Sequence, residues 1–152
     1  MLRQSLVYFS LLLFLVTSCN VTDKKIYWDN GKLKKEGQVK NGKAEGLWIF
    51  YYESGEKQSE TFYKDDVRNG HTIHYWQNGR KKGEGDFVNG ELNGKWTAFH
   101  DNGQIEREGF MVHGKENGIW KVWNSKGELI IQSLYKDGEA LSEEYYISKD
   151  TI

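Results

Sequence analysis

The side chains able to act as acids, bases, nucleophiles or metal ligands are few and scattered. The imidazoles are His71, His74, His100 and His113. His71 and His74 stand three apart on a predicted strand, so they point to opposite faces of a sheet. A metal centre needs ligand atoms converging at about 2 Å on one ion. That spacing does not converge, and no metal is expected. A carboxylate column, Glu36, Glu60, Glu84 and Glu108, recurs every 24 residues. Retaining glycosidases need two carboxyls about 5 Å apart and inverting ones about 6.5–9.5 Å. Equivalent positions two strands apart lie at roughly 9–10 Å. A carboxylate that repeats with the fold is expected to cap turns or pair with lysines instead. The glycines precede no P-loop Lys-Ser/Thr pair and no predicted helix, so they form no phosphate cradle. No nucleophile stands with a base. The expectation is a chain that catalyses nothing and carries no cofactor.

Composition points to the elements that must position these groups. Aromatics make up 14%, glycine supplies 17 residues, and proline is absent. Abundant Trp, Tyr and Phe with frequent Gly fits many short strands joined by tight turns. Charged residues reach 28% with a net charge of −1, which gives no electrostatic case for a nucleic-acid partner. Locally, Lys24, Lys25, Lys32, Lys34, Lys35, Lys40 and Lys43 outnumber Asp23, Asp29, Glu36 and Glu45. Near the C-terminus, Asp137, Glu139, Glu143, Glu144 and Asp150 outnumber Lys136 and Lys149. A solvated surface accounts for both. A basic end on anionic headgroups, at about 1 kcal/mol per well-placed Lys, is the functional alternative.

Residues 1–18 are expected to be an address rather than part of the fold. Arg3 gives a positive start, and Leu6 to Val16 is an apolar run broken only by Ser10. A spanning helix needs roughly 20 apolar residues, so this length suits a signal segment. The run ends in Val16-Thr17-Ser18-Cys19. This resembles the bacterial lipoprotein signal, which implies diacylglycerol on the Cys19 sulfur, cleavage before it and N-acylation after. Cys19 is the only cysteine, so no internal disulfide forms. Two or three acyl chains hold a protein stably on a bilayer, where one is marginal. The implied mature chain is a membrane partner through its lipid anchor, in the cell envelope and facing outside the cytoplasm. Residues 19–25 serve as a tether.

The dominant signal is self-similarity. Gly46, Gly70, Gly94 and Gly118 are 24 residues apart. Two places later come Trp48, Thr72, Trp96 and Trp120, then Tyr51, Tyr75, Phe99 and Trp123. A turn column follows at Gly31, Gly55, Gly79, Gly103 and Gly127. A small column follows at Gly37, Thr61, Gly85, Gly109 and Ser133, and a second turn column at Gly42, Asp66, Gly90, Gly114 and Gly138. Columns in register without insertion make a repeat array. Five units occupy 22–141, and 142–152 form a degenerate half repeat and tail that end the array.

Each unit reads as a β-hairpin. Turn pairs such as Asn30-Gly31, Asn78-Gly79 and Asn102-Gly103 suggest type I′ turns, with positive φ at both central residues. The fold class is all-β: a single elongated, twisted antiparallel meander of repeated 24-residue hairpins, about ten strands and roughly 45 Å long. Strands are expected at Leu47–Tyr52, Ile73–Trp76, Trp96–Phe99 and Ile119–Trp123. Small residues are expected opposite the Trp column, with the indole covering a strand glycine. The interior Trp column is expected to matter more for stability than the ends, and Trp96, flanked by repeats on both sides, to cost on the order of 3 kcal/mol on loss if its ring is buried, where Asn20→Ala in the tether costs almost nothing.

The pattern Gly-x-Trp-x-x-Tyr-x-x-x-Gly, followed by a strand and Asn-Gly or Asp-Gly, resembles the MORN repeat, and most closely its bacterial variant. Units Gly46 to Asn69, Gly70 to Asn93, Gly94 to Asn117 and Gly118 to Leu141 carry it. The resemblance implies hairpin arrays used in scaffolding, protein contacts and phospholipid binding, and some bacterial relatives are antitoxin components. The expected function is a noncatalytic, membrane-anchored module for a protein or glycan partner. A peripheral lipid-binding scaffold and an antitoxin or immunity protein are the alternatives. Residues that break columns are free to specialise, and Tyr52, His74, Trp76 and His100 combine rings with polar edges, as interface hot spots do. They are the expected binding face.

Overall fold

A computed structural model describes residues 20–146. Cys19, the address at 1–18 and the end of the half repeat lie outside the described residues. The strands are β1 Val21–Tyr27, β2 Leu33–Lys40, β3 Lys43–Tyr51, β4 Lys57–Lys64, β5 Val67–Tyr75, β6 Lys81–Val88, β7 Glu91–Leu92, β8 Gly94–Phe99, β9 Ile105–Val112, β10 Lys115–Trp123, β11 Leu129–Lys136 and β12 Glu139–Tyr145. They form one antiparallel sheet in chain order, with the two-residue β7 off the path and paired to β6 alone. Twelve strands stand where about ten were expected. The half repeat supplies β12, and the entry to the fourth unit breaks into β7 and β8. No helix among the described residues is long and apolar enough to cross a membrane.

Two turn types alternate. Between units, Asn41, Asn89, His113 and Asp137 have positive φ, as do the glycines that follow them. These are two-residue turns of the I′ kind. Asp65 and Asp66 adopt the same shape without glycine. Asp66 Oδ1 accepts from the Ala44 N–H at 2.7 Å, which helps hold the conformation. Within units the expected type I′ turn is corrected. At Tyr52 to Gly55 only the glycine has positive φ, and the Gly55 N–H donates to the Tyr52 carbonyl at 2.9 Å. That is a type I turn followed by a left-handed glycine. The asparagine of Asn-Gly does other work. Asn78 Oδ1 accepts from the Arg80 N–H at 3.0 Å, a local side-chain turn.

This geometry ends β3 and β5 at Tyr51 and Tyr75, one residue short of the expected bounds. Tyr52, Trp76 and His100 therefore open turns rather than close strands. Gly46, Gly70, Gly94 and Gly118 have positive φ, and near them the pairing between hairpins slips, as between Gly37 and Gln38 opposite Trp48 and Glu45. The "Gly" of Gly-x-Trp is a bulge residue.

The sheet is a single layer, so its core is small. Among the described residues the buried apolar side chains are Trp48, Phe87 and Trp120. Small residues pair with the Trp column across each hairpin: Trp48 with Thr61, Thr72 with Gly85, Trp96 with Gly109, Trp120 with Ser133. Each indole, however, lies over the small residue of the preceding hairpin. Trp48 covers Gly37 and Trp120 covers Gly109.

Candidate functional site

At two junctions the indole is locked in the same way. The Trp48 Nε1–H donates to the Gln38 carbonyl at 3.1 Å, and Trp120 Nε1–H to the Phe110 carbonyl at 3.2 Å. The junction between the second and third units breaks this arrangement on both sides. Thr72 stands in the Trp column, and Thr61 stands where a glycine would lie beneath the ring. Their hydroxyls meet at 2.7 Å, and both residues are buried. The hydrogen-bonded pair keeps the strands together but fills far less space above the sheet than an indole. A groove of about 760 Å³ opens there.

The next ring shapes the far wall. For Trp96 the carbonyl equivalent to those of Gln38 and Phe110 is that of Asp86, which already accepts from the Asn93 N–H at 2.9 Å. The Trp96 ring instead spans two residues, Gly83 and Gly85, and is only half-buried. Thus Trp96 lines the groove, and the deepest rings are Trp48 and Trp120, at 4% and 2% exposure. The condition set for Trp96, a buried ring, is met only in part, while Trp48 and Trp120 of the same column meet it. The His74 ring stands 6.3 Å from Trp96, tilted by 58°.

Phe50, Tyr52, Tyr63, Tyr75 and Trp76 complete the aromatic lining, and Arg68, Lys82 and Glu106 bring charge. Lys82 Nζ lies 4.4 Å over the Trp76 ring, and the Arg68 guanidinium 5.2 Å from the Phe87 ring. Among the described residues no carboxylate forms an ion pair with either cation. Burial first, and then the charges of Arg68 and Lys82, hold His74 below the ordinary imidazole range. The neutral His74 thus sits in an electropositive groove.

Of the expected binding residues, Tyr52, His74 and Trp76 line this groove and His100 does not. The polar tips of the turn-opening column are committed inside the protein. The Tyr52 hydroxyl donates to the Tyr75 carbonyl at 2.7 Å, and the Trp76 indole to the Phe99 carbonyl at 3.1 Å. His100 Nε2 meets the Trp123 carbonyl at 2.9 Å. Asparagines run a parallel ladder: Asn30, Asn78 and Asn102 donate to the carbonyls of Glu53, Asp101 and Ser125. Every bond spans 23 residues and stitches one hairpin to the next. Sequence reasoning did not single out Thr72, Thr61, Arg68, Lys82 or the turned Trp96. The signal available was the coincidence of two breaks, Trp to Thr and Gly to Thr, at one junction.

The other polar columns brace the opposite face. Glu36 accepts from the Tyr51 hydroxyl at 2.8 Å and pairs with Lys25 at 3.1 Å. Glu60 accepts from Tyr75 at 3.0 Å and from Lys57 at 2.6 Å. Burial and then these carboxylates push both phenols up to about 12. The Tyr51 hydrogen bond and then Lys25 hold Glu36 below the usual carboxylate range. Glu84 and Glu108 pair with Lys81 and Lys95. His71 meets Asp86 at 2.9 Å, and His113, in a turn, meets Glu91 at 3.2 Å.

The profile of the MORN repeat variant matches residues 23–41, 44–65, 92–113 and 116–137, more than half of the 152 residues. No curated protein matches the chain. Between the second and third matches lie residues 66–91, the stretch that carries Arg68, Thr72, His74, Trp76 and Lys82. The matched units and the hairpin sheet they build agree in period and in turn placement, and the chain belongs to the MORN repeat variant family.

Proposed function

We propose that this MORN repeat module is a noncatalytic binding element that holds a protein partner on the sheet face around the groove. Acyl chains on Cys19 would tether it to a bacterial membrane, facing outside the cytoplasm, as a lipoprotein of the bacterial MORN-variant type. One observation carries the binding reading. At the junction between the second and third units both members of the Trp–Gly contact are threonines, Thr72 in the stretch between the family matches and Thr61 at the end of the match before it, and a groove opens there among aromatic rings at the middle of the array. Partners favour such places, where rings are already ordered and water is easily displaced. The carboxylates of the opposite face are tied to lysines and tyrosines, which supports a structural role for them.

Restoring the contact tests the reading. Thr61→Gly with Thr72→Trp rebuilds the pair seen at Gly37 and Trp48, and its indole fills the groove while the sheet is kept. Circular dichroism should match wild type, and affinity capture from native membranes should lose the partner. Capture of the same partner in the same yield would refute the groove as the site. The tether is tested by Cys19→Ser, which should abolish acyl labelling and release the protein from membranes. Labelling that persists would overturn it.

A further inference from the structure

The groove carries two cations, Arg68 and Lys82, beside the polar side chains of Gln58, Ser59 and Tyr63. The Tyr52 hydroxyl and the Trp76 indole N–H are spent on carbonyls of the next hairpin. The Arg68 guanidinium and the Lys82 ammonium, by contrast, have no carboxylate partner among the described residues and stand over rings that order them. Among the described residues Glu106 is the only acid lining the groove. With His74 neutral, the lining carries a net charge of +1, two cations against one carboxylate. Phe50 and Trp96 supply apolar surface beside that charge.

We propose that the groove takes an acidic protein segment in which a carboxylate stands beside an aromatic or aliphatic side chain. The carboxylate pairs with Arg68 or Lys82, and the apolar side chain packs against Phe50, His74 and Trp96. This rests on the groove being the partner site. Charge complementarity decides the class. A neutral sugar would leave Arg68 and Lys82 without a counter-charge. An acidic side chain needs those same cations, and its apolar neighbour needs only the walls.

The probes are a glutamate–tyrosine copolymer, polyglutamate, polygalacturonate and phosphatidylglycerol vesicles, each titrated against the full-length chain. The copolymer should bind most tightly. Arg68→Gln with Lys82→Gln should weaken it by about tenfold or more, because desolvated charge pairs carry that much. Circular dichroism should show the fold of this variant unchanged. Thr61→Gly with Thr72→Trp should weaken the copolymer as well. An independent readout is the His74 ring proton resonance. The apolar side chain packs on that ring, so bound copolymer should shift the resonance, and the shift should be lost with the double glutamine variant. Copolymer binding unchanged by the double glutamine variant would overturn the inference. So would polygalacturonate or vesicles binding more tightly than the copolymer. If no probe binds while partner capture still depends on an open groove, this inference fails and the binding role stands. If capture is indifferent to filling the groove, the binding role itself fails.

Discussion

Adding a methyl beneath Trp120 and removing its ring perturb one contact from opposite sides, so their effects must interlock. Trp120 is 2% exposed, and its ring lies flat over Gly109, leaving no room for a Cβ there. Gly109 is not among the glycines with positive φ, so alanine brings no backbone strain. In the wild type, Gly109→Ala therefore overpacks the contact and should cost about 1–3 kcal/mol. Trp120→Ala should cost about 3–5 kcal/mol, through lost burial and the space left behind. That figure includes the hydrogen bond to the Phe110 carbonyl and the Arg107 guanidinium 4.3 Å over the ring. Once the ring is gone, the same methyl meets open space, and alanine in a strand is favoured over glycine by about 0.5–1 kcal/mol. Gly109→Ala should then change sign and stabilise, giving a coupling energy of roughly 2–4 kcal/mol. Urea denaturation followed by far-ultraviolet circular dichroism measures the four corners of the cycle. Repeat arrays unfold in pieces when one interface weakens, so hydrogen exchange across β9 to β11 provides a local check. If Gly109→Ala destabilises equally in both backgrounds, the indole does not rest on Gly109 and the account of the core is wrong.

Trp96→Ala should cost less than Trp120→Ala, about 1–3 kcal/mol, because the Trp96 ring is half-buried; equal urea midpoints for the two variants would contradict the turned ring. Trp76→Phe keeps the ring and loses the donor to the Phe99 carbonyl, so it should cost about 1 kcal/mol, read as faster amide exchange where the hairpins of β5 and β8 meet. Tyr51 and Tyr75 have folded pKa values raised from 10.0 to about 12, so their contribution to stability holds below pH 10 and is lost as pH rises toward 12. A phenolate absorbance titration should show a late phase that Tyr51→Phe with Tyr75→Phe removes. His74 has a folded pKa below its ordinary 6.5, so the unfolded chain binds more protons in between and stability falls as pH drops below about 6.5. His74→Gln should flatten that slope in urea midpoints, and an unchanged slope would assign it to other groups.

The period carried most of the fold. A 24-residue spacing held through five units leaves little freedom, because each hairpin must bury its Trp column against a neighbour. The strands at Lys43–Tyr51, Gly94–Phe99 and Lys115–Trp123 follow from it. Turn shape was harder to read, since Asn-Gly serves two geometries. Where two residues separate the strands, both adopt positive φ; where the loop is longer, the asparagine bonds its own backbone and only the glycine turns left-handed. Looking for rings with polar tips singled out Tyr52, His74 and Trp76, which line the groove, yet it could not see that two of those tips were already donated to the next hairpin. Such a bond joins residues 23 apart, and strand alternation gives no hint of it.

The groove was written in the sequence as a pair of departures, and neither departure could stand alone. In this chain Thr72→Trp by itself would drive an indole onto the Thr61 side chain, as a Cβ at Gly85 would meet the Trp96 ring at 2.7 Å. Thr61→Gly by itself would leave an uncovered strand glycine and take from the buried Thr72 hydroxyl its side-chain partner, each with its own cost. Changed together, the two positions exchange a stacked ring for a hydrogen bond of 2.7 Å, and the strands on either side keep their register, Thr61 opposite Thr72. Contacts in a repeat array reach only to the neighbouring unit. One junction can therefore give up its ring without weakening the rings at Trp48 and Trp120, which stay buried under their own units. A surface with a cavity among ordered aromatics follows from that locality, placed where the array has hairpins on both sides to hold the walls.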